Sequence, residues 1–132
     1  DPLSLDVFNS GDYVSASAEQ ARASAICKFL YPNDESPAGR ELRLRQEYFF
    51  TAASIQDIVR RHVQYQGDVR TLPDHAAIQL NDTHPAVAVA ELIRLLVDDH
   101  GIEFGEALEI TRKTIAYTNH TLLPAALESW RT

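Results

Sequence analysis

In the middle of the chain, an apolar run of strand length is followed abruptly by a polar loop. Residues 76–80 form an apolar run of strand length, which ends at Asn81, Asp82, Thr83 and His84. A proline follows and opens a helix-like pattern, which proline suits because its φ is already helical. Polar side chains beside unpaired helix N–H groups can hold a ligand, although a plain helix cap has the same spacing. The pattern therefore predicts a strand, a polar corner and a helix.

The same order of features recurs towards the end of the chain. Residues 114–118 are β-branched and aromatic enough to form a strand, which ends at Asn119, His120 and Thr121, and Pro124 opens another helix-like pattern. Two strands that are joined by helices are expected to be parallel, with a right-handed crossover. Both polar loops would then leave the carboxyl edge of one sheet, where ligands bind in open α/β proteins.

Helical spacing of apolar positions predicts most of the remaining structure. The predicted helices cover residues 12–30, 41–66 and 85–100, and a shorter helix starts at Phe104. Asp12 is the expected N-cap of the first helix, and Tyr31-Pro32 ends it. Gly67 and Gly101 follow their helices as expected of residues that end a helix.

The other segments carry weaker signals. Residues 1–9 alternate at Leu3, Leu5 and Val7, which indicates an edge strand. Residues 32–40 contain two prolines and a glycine and are predicted to be a loop, either a solvated connection or a mobile gate with Gly39 as its hinge. Residues 68–74 are predicted to be a linker.

Composition and charge narrow the class of protein. The 132 residues are 45% hydrophobic and 23% charged, as expected of a globular chain of one domain at most. The net charge of −7 argues against a nucleic-acid surface, and no signal peptide or apolar run of about 20 residues predicts a membrane segment. Cys27 is the only cysteine, which favours a reducing, cytoplasmic setting. Because the chain has no methionine and ends as a helix begins, we expect a piece of a larger protein.

Several types of site are not supported by the motifs. The chain has no P-loop, no GxGxxG and no GxSxG, and no serine lies in a recognisable nucleophile turn, although Ser/His/Asp catalysis stays open. Asp82, His84 and His120 lack the spacing of a metal cluster, so no metal is expected. Neutral Asn and His side chains at a strand end suit hydrogen bonds to sugar hydroxyls.

Long segments of the chain carry a specific family resemblance. Leu30–Arg61, Gln79–Asp98 (QLNDTHPAVAVAELIRLLVD), Tyr117–Trp130 (YTNHTLLPAALESW) and Phe8–Tyr13 (FNSGDY) strongly resemble the α-glucan (glycogen/maltodextrin) phosphorylases, in the family's order and spacing. The resemblance implies an α/β, predominantly helical fold. It is expected to be part of a Rossmann-like domain of the GT-B type, with two or more parallel strands flanked by helices. Residues 1–132 would form a single fragment of the N-terminal domain of a glycogen phosphorylase.

The resemblance also implies a reaction for the full-length protein. Phosphorylases of this family are hexosyltransferases of glycogen degradation, which use phosphate to release a terminal α-1,4-linked glucose as glucose 1-phosphate. Pyridoxal phosphate acts through its phosphate group and is held by a lysine of the C-terminal half. Lys28 and Lys113 do not lie in that motif, so the chain alone is expected to bind no cofactor and to be inactive. Its expected partners are the α-1,4-glucan, phosphate, the rest of the phosphorylase chain and a second copy, as a homodimer or by self-association.

The resemblance assigns sugar contacts to the polar loops. His120 matches the family histidine that hydrogen-bonds the glucose near its 6-hydroxyl, and Asp82 and His84 match residues that line the cleft beside the sugar. None of these residues is assigned as catalytic.

Two other groups of residues match functional positions of the family. Asn33, Asp34 and Glu35 fall in the loop that gates the site and contacts the sugar 2-hydroxyl, with Asp34 at the gating aspartate. Many relatives have Asn-Asp-Asn followed by aromatic residues, whereas this chain has Asn-Asp-Glu-Ser-Pro, which puts the contact at Glu35 in question. Arg60 and Arg61 match arginines that bind regulatory phosphates in animal relatives, and they also suit the C-terminus of a helix.

Two alternative functions stay open at this stage. The chain could be a non-catalytic regulatory or assembly module with an anion or subunit contact at Arg60 and Arg61. It could also have no independent function, in which case apolar helix faces would be exposed and the chain would self-associate.

Overall fold

The described part of the chain is mostly helical and contains one pair of parallel strands. The computed structural model describes residues 5–124 and residue 127. Its helices are α1 (Leu5–Asn9), α2 (Tyr13–Lys28), α3 (Pro37–Gln66), α4 (Leu72–His75), α5 (Ala88–Arg94) and α6 (Phe104–Thr114), and its strands are β1 (Ile78–Asn81) and β2 (Ile115–Thr118). The chain divides into two compact units, residues 1–49 and residues 50–132.

The first unit contains α1, α2 and the beginning of α3. Asp12 caps α2, as predicted, because its carboxylate accepts a hydrogen bond from the Ser15 N–H at 3.0 Å. Hydrogen bonds from the side chain and the backbone of Ser15 lower the pKa of the Asp12 carboxyl. The helix ends at Lys28, slightly before the predicted end at residue 30.

The predicted edge strand at residues 1–9 is wrong for the part that the structure describes. Leu5–Asn9 is helical, and the Ser10 N–H donates to the Asp6 carbonyl at 3.0 Å. The Phe8 and Tyr13 rings meet edge to face at 4.8 Å between centroids, so a local contact accompanies the helix. A three-position alternation is too short a signal to distinguish a strand from one turn of helix.

α3 begins earlier than its apolar pattern predicts. The helix starts at Pro37, inside the predicted loop of residues 32–40. Ser36 acts as its cap, because the Ser36 hydroxyl accepts a hydrogen bond from the Gly39 N–H at 3.0 Å. Proline at the first helical position needs no N–H partner. The helix therefore starts within a polar segment whose composition is typical of a loop.

The second unit contains the rest of α3, the strands and the remaining helices. The linker predicted at residues 68–74 is helical instead, with a 3₁₀ turn at Val69–Thr71 followed by α4. Asp68 caps this turn, since its carboxylate accepts a hydrogen bond from the Arg70 N–H at 2.9 Å. His62, which is buried on α3, hydrogen-bonds through Nε2 to the Asp68 carbonyl at 2.9 Å and so ties the turn to the helix.

Two glycines end helices of the second unit as predicted. Gly67 follows α3 with φ +84°, and its N–H donates to the Val63 carbonyl at 2.9 Å. Gly101 follows α5 and the π-helical turn Leu95–Asp99 with φ +66°, and its N–H donates to the Val97 carbonyl at 3.2 Å. Residues with a Cβ rarely adopt these left-handed angles, which is why glycine marks both ends.

One hydrophobic core supports the strands of the second unit. Leu72, Leu92 and Leu96 are fully buried, and Leu80 of β1 packs in the same cluster. Fully burying one such leucine stabilises the fold by about 1.5–3 kcal/mol relative to leaving it exposed. The cluster therefore fixes α4 and α5 relative to β1. No helix in the described part of the chain is long and apolar enough to cross a membrane.

Candidate functional site

The two predicted polar loops leave the same edge of the sheet. β1 and β2 are parallel, with Ile78 opposite Ile115 and Asn81 opposite Thr118. The last residues of the two strands therefore lie side by side. The Asp82 N–H continues the pairing, since it donates to the Thr118 carbonyl at 2.8 Å. The predicted parallel arrangement is confirmed.

Asp82 turns the chain sharply away from the sheet. Its φ of +73° is uncommon for any residue other than glycine, and aspartate is one of the few that tolerate this angle. The carboxylate supports the turn by accepting a hydrogen bond from the Thr83 N–H at 2.8 Å. Asp82, Thr83 and His84 are all half-buried, so the turn holds polar groups partly within the surface.

The helix after this turn begins later than predicted. Pro85 opens a series of tight turns, in which the Ala86 N–H donates to the Thr83 carbonyl at 3.0 Å and the Ala88 N–H donates to the Pro85 carbonyl at 2.9 Å. α5 itself starts at Ala88. The predicted helix start is therefore three residues early, because proline is equally suited to a preceding turn.

A hydrogen bond between side chains joins the two polar loops. Nε2 of His120 bonds to Oδ1 of Asn81, although both side chains are exposed. Sequence reasoning placed Asn81 in the polar corner but did not assign it to the site. The pairing of the two strand ends was the signal that could have identified it, because Asn81 is the last residue of β1.

Local hydrogen bonds shape the loop that carries His120. The Asn119 amide nitrogen donates to the Thr121 carbonyl at 3.0 Å, and its amide oxygen accepts from the Thr121 N–H at 3.1 Å. The Leu123 N–H donates to the Thr121 hydroxyl at 3.1 Å. The helix predicted after Pro124 lies mostly outside the described residues.

The strand edge presents groups suited to hydroxyl recognition. Two imidazoles, an amide and a carboxylate lie at or just beyond the ends of the two strands, at the same edge of the sheet. The Gln79 side chain is not one of these groups, since it is engaged between the strands by a bond to the Thr118 hydroxyl at 2.9 Å. The bond between Gln79 and Thr118 was not predicted from the sequence. Within the described residues, no group of three or more His, Cys, Asp or Glu side chains is arranged to hold a metal ion.

The predicted gate residues lie in the first unit. The Asn33 side chain accepts a hydrogen bond from the Glu35 N–H at 2.9 Å, which makes a local turn. The Asp34 carboxylate forms an ion pair with Arg43 at 2.9 Å, and the Arg40 guanidinium donates to the Asp34 carbonyl at 3.1 Å. Residues 33–35 are exposed, and the Asp34 contacts with Arg40 and Arg43 join the loop to α3.

Gly39 lies in the first turn of α3 rather than in the loop itself. A Cβ added at this position would lie 1.8 Å from the Asn33 carbonyl oxygen, so no larger residue fits without movement of the backbone. Close packing against the Asn33 carbonyl therefore explains why position 39 is a glycine. The hinge that sequence reasoning placed there stays a prediction.

Arg60 and Arg61 share one acidic partner. The Asp57 carboxylate lies 2.7 Å from Nη2 of Arg60 and 2.6 Å from Nη2 of Arg61. Hydrogen bonds from Arg60 and then from Arg61 are the main causes that lower the pKa of Asp57. A phosphate at these arginines would have to compete with this carboxylate.

Comparison with known proteins assigns the family. The model of the carbohydrate phosphorylases matches residues 1–132. The chain belongs to the carbohydrate phosphorylase family. It is 50% identical over 123 aligned positions to the glycogen phosphorylase of Synechocystis sp., which is 93% of this chain and 14% of that protein.

Relatives from distant organisms match this family member equally well. The brain form of glycogen phosphorylase from Homo sapiens is 51% identical over 134 aligned positions, which cover 96% of this chain. The glycogen phosphorylase of Haemophilus influenzae is 50% identical over 128 positions, which cover 97% of this chain. This chain spans only about 16% of the length of either relative.

Proposed function

We propose that this chain is part of a glycogen phosphorylase and supplies residues that contact the sugar at the substrate cleft. The full-length protein would carry out phosphorolysis of terminal α-1,4-linked glucose to glucose 1-phosphate. Family membership and the glycogen phosphorylase names of relatives about 50% identical over more than nine-tenths of the chain support this. The observation that carries the proposal is the joining of the two polar loops at one sheet edge by Asn81 and His120.

In this proposal, the strand edge binds the hydroxyl groups of one glucose unit. His120 contacts the glucose near its 6-hydroxyl, and Asp82 and His84 line the cleft beside the sugar. Neutral imidazoles both donate and accept hydrogen bonds, and a carboxylate accepts them, which matches the mixed donor and acceptor character of a hydroxyl. In open α/β sheets, ligands bind outside the carboxyl ends of the parallel strands. We propose that this edge belongs to a Rossmann-like domain of the GT-B type.

The loop of the first unit has a separate proposed role. We propose that Asn33, Asp34 and Glu35 belong to a loop that controls access of substrate in the full-length protein. The Asp34–Arg43 ion pair supports this, because exchange of one ionic partner for another is a simple way to move a loop. The Glu35 carboxylate is exposed.

The residues of this chain do not fit a pyridoxal phosphate site. A Schiff base needs a lysine held in a pocket, and the only lysines, Lys28 and Lys113, are both exposed. Lys113 precedes β2, so it lies at the opposite end of that strand from the loop of His120. We propose that the cofactor belongs to the remainder of a longer chain and that residues 1–132 form one fragment of its N-terminal domain.

The chain on its own is proposed to be inactive. Incubation with phosphate and maltodextrin is expected to give no glucose 1-phosphate above a blank without protein. Production of glucose 1-phosphate would overturn this part of the proposal. A cytoplasmic setting is proposed as well, because glycogen phosphorylases are enzymes of carbohydrate metabolism and Cys27 has no second cysteine with which to pair within the chain.

Titration with maltotetraose tests the sugar contact directly. His120→Ala is expected to weaken binding by about tenfold, the effect of losing one ligand hydrogen bond. His100→Ala is the matched control, because His100 is also exposed in the second unit but follows the π-helical turn Leu95–Asp99 and lies in neither polar loop. Equal loss of binding in the two variants, or no loss in His120→Ala, would contradict a sugar contact at the strand edge.

The alternative function is an anion or subunit contact at Arg60 and Arg61. Both arginines are largely exposed, which favours it, while their pairing with Asp57 weighs against it. If the alternative holds, phosphate binds the chain and Arg60→Ala abolishes the binding. Under the sugar proposal, Arg60→Ala leaves the affinity for maltotetraose unchanged.

A further inference from the structure

We propose that Asn81 is a positioning residue that fixes the imidazole of His120 in one tautomer. In this tautomer Nε2 carries the proton and Nδ1 is an acceptor directed to a hydroxyl donor of the ligand. The identity of that ligand as a sugar rests on the proposed function. The tautomer of His120 and its dependence on Asn81 do not rest on the proposed function.

The hydrogen-bonding chemistry of the pair defines the tautomer. Oδ1 of Asn81 is an amide oxygen, which can only accept, so Nε2 of His120 must donate. A neutral imidazole has one donor and one acceptor, and Nδ1 is therefore left as the acceptor. Nδ1 has no hydrogen-bond partner within the described residues, so this acceptor is available to a ligand.

The backbone holds both members of the pair in place. Asn81 is the last paired residue of β1, opposite Thr118, and the Asp82 N–H bond of 2.8 Å to the Thr118 carbonyl closes the pairing just beyond it. His120 lies two residues after Thr118, in the loop that Asn119 and Thr121 hold by reciprocal hydrogen bonds. The two side chains therefore extend from backbone that is fixed on either side of the bond.

Loss of this bond would free the imidazole. His120 is exposed, so without Asn81 its ring would rotate and exchange protons between Nδ1 and Nε2 with solvent. A ligand hydroxyl that donates to Nδ1 would then meet the correct tautomer and orientation only part of the time. Losing one ordered hydrogen bond corresponds to about a two- to tenfold loss of affinity.

The test is ¹⁵N NMR of the His120 ring at about pH 8. The expected spectrum of the unmodified chain shows a protonated Nε2 and an unprotonated Nδ1. Asn81→Leu is expected to give a mixture of the tautomers, and Asn81→Asp, which keeps an acceptor oxygen, is expected to retain the Nε2–H form. A protonated Nδ1 in the unmodified chain would overturn the proposal, as would an unchanged spectrum in Asn81→Leu.

Gln79→Leu provides a matched control for a merely structural effect. Gln79 also makes a cross-strand side-chain bond, to the Thr118 hydroxyl at 2.9 Å, but it does not bond to His120. The variant is expected to leave the His120 tautomer unchanged. A shift as large as that of Asn81→Leu would show that Asn81 acts only through the strand pair. If Asn81→Leu does not fold, the unmodified chain and Asn81→Asp still decide the tautomer.

Titration with D-glucose separates this proposal from the proposed function. Asn81→Leu is expected to weaken glucose binding by about two- to tenfold, whereas Gln79→Leu is expected to bind as the unmodified chain does. Equal weakening in both variants would overturn the positioning role. Absence of glucose binding in the unmodified chain would overturn the sugar site but leave the tautomer result as evidence on Asn81 itself.

Discussion

The charged neighbours of Asp57 make the stability of the chain depend on pH. Arg60 and Arg61 lower the pKa of its carboxyl, so the carboxylate form is favoured in the folded chain. Because the folded pKa is depressed, the stabilisation is present above the unfolded value of about 3.9 and is lost as the pH falls through the folded value. We predict an NMR titration of Asp57 with a pKa below that of an ordinary aspartate.

Variants of the arginines distinguish the cause of this shift. Arg60→Ala and Arg61→Ala are each expected to raise the pKa of Asp57, and the double variant is expected to return it to the ordinary range. Arg112→Ala removes a comparable pair with Glu109 on α6 and is expected to leave Asp57 unchanged. An ordinary pKa in the unmodified chain would contradict the observed pairing.

Also at the scale of residues, the sequence predicted which residues lie at the candidate site but not their backbone angles or hydrogen bonds. Composition and spacing placed Asp82, His84 and His120 at strand ends. The positive φ of Asp82 and its cap on the Thr83 N–H depend on the next turn, which no local pattern specifies. The bond between Asn81 and His120 joins residues 39 positions apart, and only the strand register brings them together.

At the scale of elements, a glycine determines how the loop before α3 packs on that helix. The Asn33 carbonyl occupies the space where a side chain at Gly39 would lie. We predict that Gly39→Ala lowers the free energy of unfolding by about 1–3 kcal/mol, the usual cost of overpacking. Urea unfolding of the chain measures it.

Gly105→Ala is the matched control, because Gly105 also lies in the first turn of a helix. An added Cβ there would meet only the flexible end of the Glu103 side chain, at 2.9 Å. Alanine is the better helix former, but the displaced Glu103 carboxylate also accepts a hydrogen bond from the Glu106 N–H, so this variant is expected to change the free energy of unfolding by less than about 1 kcal/mol. Equal destabilisation by both substitutions would contradict the packing role of Gly39.

Elements with strong local signals were predicted well, and short elements were not. Asp12 as an N-cap and Gly67 and Gly101 as helix ends follow from side-chain and φ preferences that act locally. α1 and α4 are each about one helical turn and depend on contacts that periodicity does not reveal. The parallel pairing of β1 and β2 was predictable because helices separate the two strands.

At the scale of the whole molecule, large apolar side chains are exposed. Val14, Phe29 and Leu30 are 78%, 71% and 68% exposed. The chain covers about 16% of the length of the human brain-form relative. We predict that the chain self-associates and that sedimentation velocity shows a sedimentation coefficient which rises with concentration.

A single charge placed on this apolar surface tests whether the surface causes the self-association. Val14→Glu is expected to reduce association, because a buried unpaired carboxylate is costly. Gln66→Glu makes the same change of charge at an exposed polar position and is expected to have little effect. A compact monomer at every concentration would contradict self-association.

The claim that the paired polar loops form a sugar site is tested most directly by NMR mapping of the unmodified chain during titration with D-glucose. We predict saturable shifts at Asp82, His84 and His120, with no comparable change at Arg60 or Arg61. Shifts confined to the two arginines, or no saturable shift at the strand edge, would contradict the claim.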